Sequence, residues 1–169
     1  MPLFFIEMGQ GIVANGDLRV CTSPIYSCTL IAGYNARSGY GGAYHYPAET
    51  LSQADVRADM DVWAAVLRPT AVTLVFAQDT VGNGILGTKL ADRNALQAWV
   101  LHQCVVPPTL TLAVRAGMEL LAGGGYAAGS VRNLAGDFDM GATINVDTRT
   151  AGTYLDYGRF TLVGQNRER

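Results

Sequence analysis

Up to residue 46, the chain alternates short runs of apolar, β-branched or aromatic residues with Gly and Asn. Runs of this kind, bounded by turn-forming residues, are typical of strands. Asn15 and Gly16 form a tight-turn signal, and the polar segment 35–39 connects the last two runs. The pattern predicts a layer of strands and hairpins, with strands over residues 3–8, 11–14, 18–22, 27–34 and 41–46.

Two later segments show apolar residues at the three- and four-residue spacing of an amphipathic helix. The first is predicted to begin at a Ser52 cap, with Asp55 in its first turn, and to end at Pro69. The second is predicted to begin at an Asp92 cap and to end before Pro107. The residues expected to face the core are Val56, Met60, Trp63 and Leu67 in the first helix, and Leu96, Trp99 and Val100 in the second.

Further strands are predicted over residues 71–77 and 109–115, and hairpin strands over 143–146, 153–157 and 160–163. A glycine-rich loop containing Gly82, Gly84 and Gly87 precedes the second helix. No internal repeat and no linker divides the chain. We therefore predict one α+β domain over residues 1–169, with a β-sandwich-like core flanked by two main helices.

Charge and hydropathy exclude several classes of function. The 169 residues carry a net charge of −2, and Lys and Arg do not cluster ahead of the Arg167–Arg169 end, so we expect no nucleic-acid partner. The N-terminal apolar run lacks a basic leader and is interrupted by Glu7, and the charge-poor segment 94–114 contains polar residues and two prolines. We expect no membrane span, and a cytoplasmic location or delivery by a signal-independent secretion route.

Three cysteines and two histidines limit the available chemistry. The cysteines form neither a CxxC motif nor a zinc-like spacing with histidine, which argues against a disulfide framework and a metal site. Asp137 and Asp139 lack a third ligand nearby in sequence, and the glycine clusters at 82–84 and 123–125 lack the Lys-Ser/Thr of a phosphate loop. We expect no metal and no cofactor.

Cys28 and His45 are the strongest candidates for a reactive pair. Cys28 follows a proline turn at the start of an apolar run, and His45 lies at the end of the next run, before Pro47. If these strands are adjacent, the imidazole can take the thiol proton and the thiolate can attack an acyl carbon. Thr22, on the preceding strand, can orient the imidazole with an oxygen. The alternative for Cys28 is a small buried core residue.

The order Thr22, Cys28, His45, with Ser27 before the cysteine and Tyr44 before the histidine, resembles the CheD chemoreceptor glutamine deamidases. That family is similar to the catalytic domains of the cytotoxic necrotizing factor toxins. The likeness covers residues 9–67, and the Arg93-Asn94 step resembles a further CheD motif. It implies a bacterial, cofactor-free hydrolase that deamidates a glutamine of a protein partner, either a chemoreceptor-like or a host protein.

The resemblance implies catalytic roles for Cys28, His45 and Thr22, and substrate contacts from Ser27, Tyr26 and Tyr44. The chain has Tyr26 where the family usually has glycine, a position expected to shape the oxyanion hole and the cleft. This difference favours an alternative, a non-catalytic module that binds a protein partner. The binding rim would consist of Tyr26, Tyr34, Tyr40, Tyr44 and Tyr46. A third possibility is an amidase or transglutaminase acting on small amides or amines.

Overall fold

A computed structural model describes residues 3–15, 18–22, 27–77, 87–113, 117–122, 130–134, 143–145, 154–156 and 160–167. Twelve strands and two helices belong to this part of the chain. The predicted α+β class is confirmed. The strands are β1 Leu3–Ile6, β2 Gln10–Asn15, β3 Leu18–Thr22, β4 Thr29–Tyr34, β5 Tyr40–Tyr46, β6 Ala71–Ala77, β7 Thr109–Ala113, β8 Gly117–Ala122, β9 Ser130–Leu134, β10 Thr143–Asn145, β11 Tyr154–Asp156 and β12 Phe160–Gly164. The helices are α1 Ala54–Leu67 and α2 Leu90–Trp99.

The strands form two sheets. A five-stranded sheet has the order β10-β1-β3-β8-β9, and a seven-stranded sheet has the order β11-β12-β2-β5-β4-β6-β7. Most neighbours are antiparallel, whereas β1 runs parallel to both β3 and β10, and β6 runs parallel to β7. The segment between β6 and β7 contains α2, as a parallel crossover requires.

The two sheets pack against each other through an apolar cluster. Ile6 and Val20 of the five-stranded sheet belong to the same buried cluster as Leu30, Ala43 and Val75 of the seven-stranded sheet. The opposite face of the seven-stranded sheet is covered by both helices, in a second buried cluster. The central strands of the seven-stranded sheet are therefore buried on both faces, and a polar side chain on either face of them needs a partner.

Helix α1 packs closely on the seven-stranded sheet. Its predicted core residues Val56, Met60, Trp63 and Leu67 are all buried, which confirms that part of the prediction. The indole N–H of Trp63 donates to the carbonyl of Ile12, with a distance of 3.2 Å between nitrogen and oxygen. A Cβ at Gly42 would lie 2.7 Å from that carbonyl oxygen, so only glycine leaves room for this approach.

The ends of α1 differ in part from the prediction. The N-cap residue is Gln53 and no side chain caps the helix, so the prediction that Ser52 caps it is wrong. Asp55 does lie in the first turn. At the C-terminal end, Arg68 adopts a left-handed conformation with φ of 48° and its N–H binds a helix carbonyl, and Pro69 follows. The helix therefore ends where the proline predicted.

Helix α2 begins at Leu90, with Lys89 as its N-cap residue, so the prediction that Asp92 is the cap is also wrong. The Asp92 carboxylate instead accepts hydrogen bonds from the Tyr46 hydroxyl, at 2.9 Å, and from the Glu49 N–H, at 2.8 Å. These bonds hold the segment after β5 against the helix. The predicted core residues Leu96, Trp99 and Val100 are buried, and a π-helical turn, Val100–Cys104, continues the helix.

Strand β6 has the predicted bounds, and β11 and β12 form the predicted antiparallel hairpin. Strands β8 and β9 were not predicted. Gly16 lies outside the described residues, but β2 and β3 belong to different sheets, so the Asn15-Gly16 signal does not join paired strands. Gly82 and Gly84 also lie outside the described residues. None of the helices described is both long enough and apolar enough to cross a membrane.

Candidate active site

His45 lies near the end of β5 and faces the five-stranded sheet. Its Nδ1 is 2.6 Å from Oγ1 of Thr22, the last residue of β3. The Thr22 hydroxyl donates to the carbonyl of Ile6, at 2.8 Å. Ile6 pairs with Thr22 in the parallel β1–β3 ladder, which brings the carbonyl and the hydroxyl together. The predicted contact between Thr22 and His45 is therefore present in the structure.

These two bonds favour one tautomer of His45. A threonine hydroxyl has one proton, and that of Thr22 is donated to Ile6. Thr22 Oγ1 must then accept its bond from His45, so the ring proton of neutral His45 lies on Nδ1. Nε2 consequently carries a lone pair, the state that a general base requires.

Burial keeps His45 neutral. The side chain is 2% exposed, and desolvation lowers its pKa from the ordinary value of 6.5 to about 4. The imidazole is therefore uncharged at neutral pH. It can accept a proton during a reaction, but it does not hold a permanent positive charge beside the site.

Cys28 lies one residue before β4, and β4 pairs with β5 as predicted, with Leu30 opposite His45. Cys28 packs against the apolar cluster between the sheets, to which Leu30 belongs. Because side chains on a strand alternate between faces, Cys28 and His45 lie on the same face at diagonal positions, where Cβ atoms are about 7–8 Å apart or less. The thiol of Cys28 is half-buried. This arrangement suits a thiol and an imidazole that act together.

The link between β1 and β2, residues 7–9, lies beside this pair. The sulfur of Met8 is 3.5 Å from the sulfur of Cys28, and the N–H of Gly9 donates to the His45 carbonyl at 2.8 Å. The Met8 thioether therefore forms one wall next to the thiol. Ile6, which receives the Thr22 bond, immediately precedes this link.

Asn166 and Arg167 form hydrogen bonds with the same link, residues 7–9. The N–H of Arg167 donates to the Met8 carbonyl at 2.8 Å, and Asn166 binds the Glu7 carboxylate. The guanidinium of Arg167 forms ion pairs with Asp59 at 2.8 Å and Asp55 at 2.7 Å, both on α1. Asp59 is fully buried, and its burial raises the pKa of the carboxyl while Arg167 opposes that rise.

The predicted substrate contacts have different outcomes. Tyr44 is fully buried on the opposite face of β5 from His45, in the cluster beneath the helices, so the prediction that it contacts substrate beside His45 is corrected. Ser27 is half-buried directly before Cys28, and Tyr26 lies outside the described residues. Tyr46 is likewise fully buried, so the proposed tyrosine rim loses two of its members.

The other thiol and imidazole described do not form a second pair. Both lie on the π-helical turn, where His102 is exposed and Cys104 is half-buried. Burial raises the pKa of Cys104 to about 11, so this thiol is protonated at neutral pH. Among the described residues, no group of three or more His, Cys, Asp and Glu side chains is arranged to hold a metal ion. Asp137 and Asp139 lie outside them.

Three contributors to the site were not predicted from the sequence: the Ile6 carbonyl, the Met8 thioether and Thr88. The hydroxyl of Thr88 donates to the Cys28 carbonyl at 2.9 Å. Main-chain carbonyls carry no sequence signal, and a methionine before a glycine is unremarkable in composition. In comparisons with known proteins, the chain matched no family model, no curated protein and no solved structure.

Proposed function

We propose that this protein is a cysteine-dependent hydrolase that deamidates glutamine side chains of a partner protein. Cys28 is the nucleophile, His45 the general base and acid, and Thr22 the residue that orients the imidazole. One observation carries the proposal: the hydrogen bonds from His45 through Thr22 to the Ile6 carbonyl, which leave His45 Nε2 unprotonated. Cys28 lies on the same face of the sheet as this imidazole.

The reaction proceeds in two halves. The sulfur of Cys28 attacks the amide carbon of glutamine while His45 Nε2 takes the thiol proton. The tetrahedral intermediate collapses to a thioester, and His45 returns the proton to the departing nitrogen, which leaves as ammonia. A water molecule then gives a proton to His45 and attacks the thioester. Glutamate leaves, and Cys28 recovers its proton from His45.

The burial of His45 favours a particular form of this mechanism. A neutral imidazole with a lowered pKa does not hold Cys28 as a preformed thiolate through a stable ion pair. The proton transfer instead accompanies attack, as in general base catalysis. Charge on the imidazole is then transient, and the Thr22 oxygen that accepts the Nδ1–H stabilises it.

The choice of glutamine as substrate rests on the resemblance to the CheD deamidases, at Thr22, Cys28 and His45. We propose that the two packed sheets and two helices form a fold of the same kind, and that the partner is a chemoreceptor-like or host protein. The loss of Tyr44 and Tyr46 from the tyrosine rim weakens the alternative of a non-catalytic binding module. The proposed steps involve no cofactor, since Cys28 and water act as the nucleophiles and His45 carries the protons between them.

The test measures how fast iodoacetamide alkylates Cys28 between about pH 5 and about pH 9, resolved by mass spectrometry from the other cysteines. Cys104, protonated in this range, is the internal reference. Because His45 takes the thiol proton as the sulfur attacks, we expect Cys28 to label faster than Cys104 at neutral pH in the unaltered chain and more slowly in His45→Gln. A glutamine analogue with a diazoketone in place of the amide should label the same residue.

His102→Gln is the matched control, because it removes the exposed histidine and should leave the Cys28 rate unchanged. A Cys28 rate that equals the Cys104 rate, or that ignores His45, contradicts the proposed function. Labelling by iodoacetamide without labelling by the glutamine analogue would retain the reactive pair and reject glutamine as the substrate.

A further inference from the structure

The direct pairing between β4 and β6 ends beside Cys28, where a threonine side chain takes its place. The last pair is Thr29 with Phe76, so Cys28 and Ala77 are the next residues along the two strands. The Ala77 N–H donates to the Thr88 hydroxyl oxygen at 2.8 Å, and that hydroxyl donates to the Cys28 carbonyl at 2.9 Å. The side chain of Thr88 thus bridges the two strands where their direct pairing ends.

Thr88 is itself fixed on every side. It is 4% exposed, and its N–H donates to the Ala77 carbonyl at 3.0 Å. Its carbonyl accepts a bond of 2.8 Å from Nε of Arg93, in the first turns of α2. The Arg93 guanidinium lies over the ring of Phe76, 5.3 Å from the ring centre. The bridge between the strands is therefore anchored to a helix and to the sheet.

The position of the bridge matters for the thiol. The backbone of a residue at the end of a strand sets the direction of its side chain. The carbonyl that accepts the hydrogen bond from Thr88 belongs to Cys28 itself. A displacement of about 1 Å in a reacting group can cost about a hundredfold in rate. A hydroxyl placed between two strands also keeps them farther apart than direct pairing does.

We propose that Thr88 is a positioning residue: its hydroxyl separates β4 from β6 at Cys28 and fixes the Cys28 backbone so that the thiol stays on the face of the sheet that carries His45. The inference rests on the proposed function in one respect, the reactivity of Cys28. It involves neither the substrate nor the Thr22 contact. Nothing in the sequence marks Thr88 beyond its place five residues before Arg93.

Two substitutions separate the hydroxyl from the shape of the side chain. Thr88→Val keeps the volume and removes both hydrogen bonds, so Ala77 and Cys28 either pair directly or stay unpaired. Thr88→Ser keeps the donor and the acceptor. Thr161→Val is the matched control, because Thr161 is also buried in the seven-stranded sheet but lies on β12, three strands from β4.

The experiment measures Cys28 alkylation by iodoacetamide against pH in these variants and in His45→Gln, with Cys104 labelled in the same sample. We expect Thr88→Val to slow Cys28 labelling at neutral pH by about ten- to a hundredfold. Thr88→Ser and Thr161→Val should stay within about twofold of the unaltered chain. The Cys104 rate should not change, which reports that the chain stays folded.

Equal Cys28 rates and pH profiles in Thr88→Val and the unaltered chain overturn this inference alone, as does a Thr88→Ser variant as slow as Thr88→Val. A Cys28 rate that ignores His45 in the unaltered chain overturns it together with the proposed function. If Thr88→Val does not fold, Arg93→Gln carries the test, since it releases the Thr88 carbonyl and should also slow Cys28 labelling.

Discussion

Thr22 and His45 lie in different sheets, and the contact of 2.6 Å between Thr22 Oγ1 and His45 Nδ1 joins the two across their interface. The orientation of the imidazole therefore depends on how the sheets pack. An oxygen supplied from the same strand as His45 would impose no such condition. The buried apolar cluster between the sheets thus contributes to the site as well as to stability.

Removing the Thr22 hydroxyl should reduce reactivity more than the fold. In Thr22→Val, Ile6 and His45 each lose a buried hydrogen bond and the preference for the Nδ1–H tautomer disappears. We expect Cys28 alkylation at neutral pH to slow by about ten- to a hundredfold, part of what a positioned base contributes. The free energy of unfolding should fall by about 1–3 kcal/mol.

Thr22→Ser is the matched variant, because serine keeps the hydroxyl. It should recover most of the alkylation rate, measured beside Thr22→Val in the same buffer. A serine variant as slow as the valine variant would show that the hydroxyl alone does not account for the rate, because serine keeps it.

The burial of His45 predicts a pH dependence of stability. The unfolded chain protonates this residue near its ordinary pKa of 6.5, whereas the folded chain does so near 4. The contribution of neutral His45 to the free energy of unfolding is therefore complete above about pH 6.5. It is lost as the pH falls toward 4, because the unfolded state binds the proton first. At about 1.4 kcal/mol for each pH unit, the loss amounts to about 3 kcal/mol.

Urea unfolding at several pH values checks this dependence. His45→Gln should flatten the slope between pH 4 and 6.5, and His102→Gln, which alters an exposed histidine, should leave it in place. A slope in His45→Gln equal to that of the unaltered chain would assign the pH dependence to other groups.

Cys28→Ser should abolish turnover while it preserves the fold. The side chain is half-buried, so replacing sulfur with oxygen should change the unfolding free energy by no more than about 1 kcal/mol. Reaction with the glutamine analogue should fall by at least about a thousandfold. Cys104→Ser, which alters the other half-buried thiol, should react like the unaltered chain, and a large loss there would contradict the assignment of the nucleophile.

The ion pair of Arg167 with Asp59 predicts that replacing Arg167 lowers the free energy of unfolding by an amount that depends on pH. Arg167→Ala leaves a fully buried carboxylate without its cation, which costs about 3 kcal/mol at neutral pH. The loss should shrink near pH 4, because protonation of Asp59 removes the unpaired charge. Urea unfolding of the variant and the unaltered chain at both pH values measures the difference.

Asp55→Asn and Asp59→Asn separate the two partners of Arg167. Asp55 is exposed, so its replacement should have the smaller effect. Adding Asp59→Asn to Arg167→Ala should restore part of the lost stability. If the double variant is no more stable than Arg167→Ala alone, the buried charge is not the cause.

Local sequence patterns predicted some elements well and missed others for identifiable reasons. The apolar spacing from Val56 to Leu67 and the β-branched run of β6 carry their own signal, and both elements form as predicted. Strand β8, Gly117–Ala122, contains Met, Glu, Leu and Ala, which favour helices, and it becomes a strand by pairing with β3. The pattern predicts Asp92 as a helix cap, but its carboxylate instead accepts hydrogen bonds from Tyr46 and Glu49.

The candidate site is likewise visible in the sequence only in part, and the rest is formed by contacts between distant residues. The order of Thr22, Cys28 and His45 is visible in the sequence, and strand pairing places the last two on one face. Met8 and Thr88 reach Cys28 only through long-range folding, since 20 and 60 residues of sequence separate them from it. The resemblance implies a substrate contact for Tyr44, but Tyr44 and its neighbour His45 lie on opposite faces of β5, because adjacent strand residues point in opposite directions.

The hydrogen bond from Arg167 to Met8 has a consequence for biosynthesis. The ribosome makes Met8 159 positions before Arg167, whose N–H fixes the Met8 carbonyl. Chains grow from the N-terminus, and contacts between distant segments form last. A nascent chain that has not yet released residue 167 therefore lacks the hydrogen bond that fixes the link of residues 7–9 beside the thiol and the imidazole. The Met8 carbonyl is fixed next to Cys28 only after elongation has passed that point.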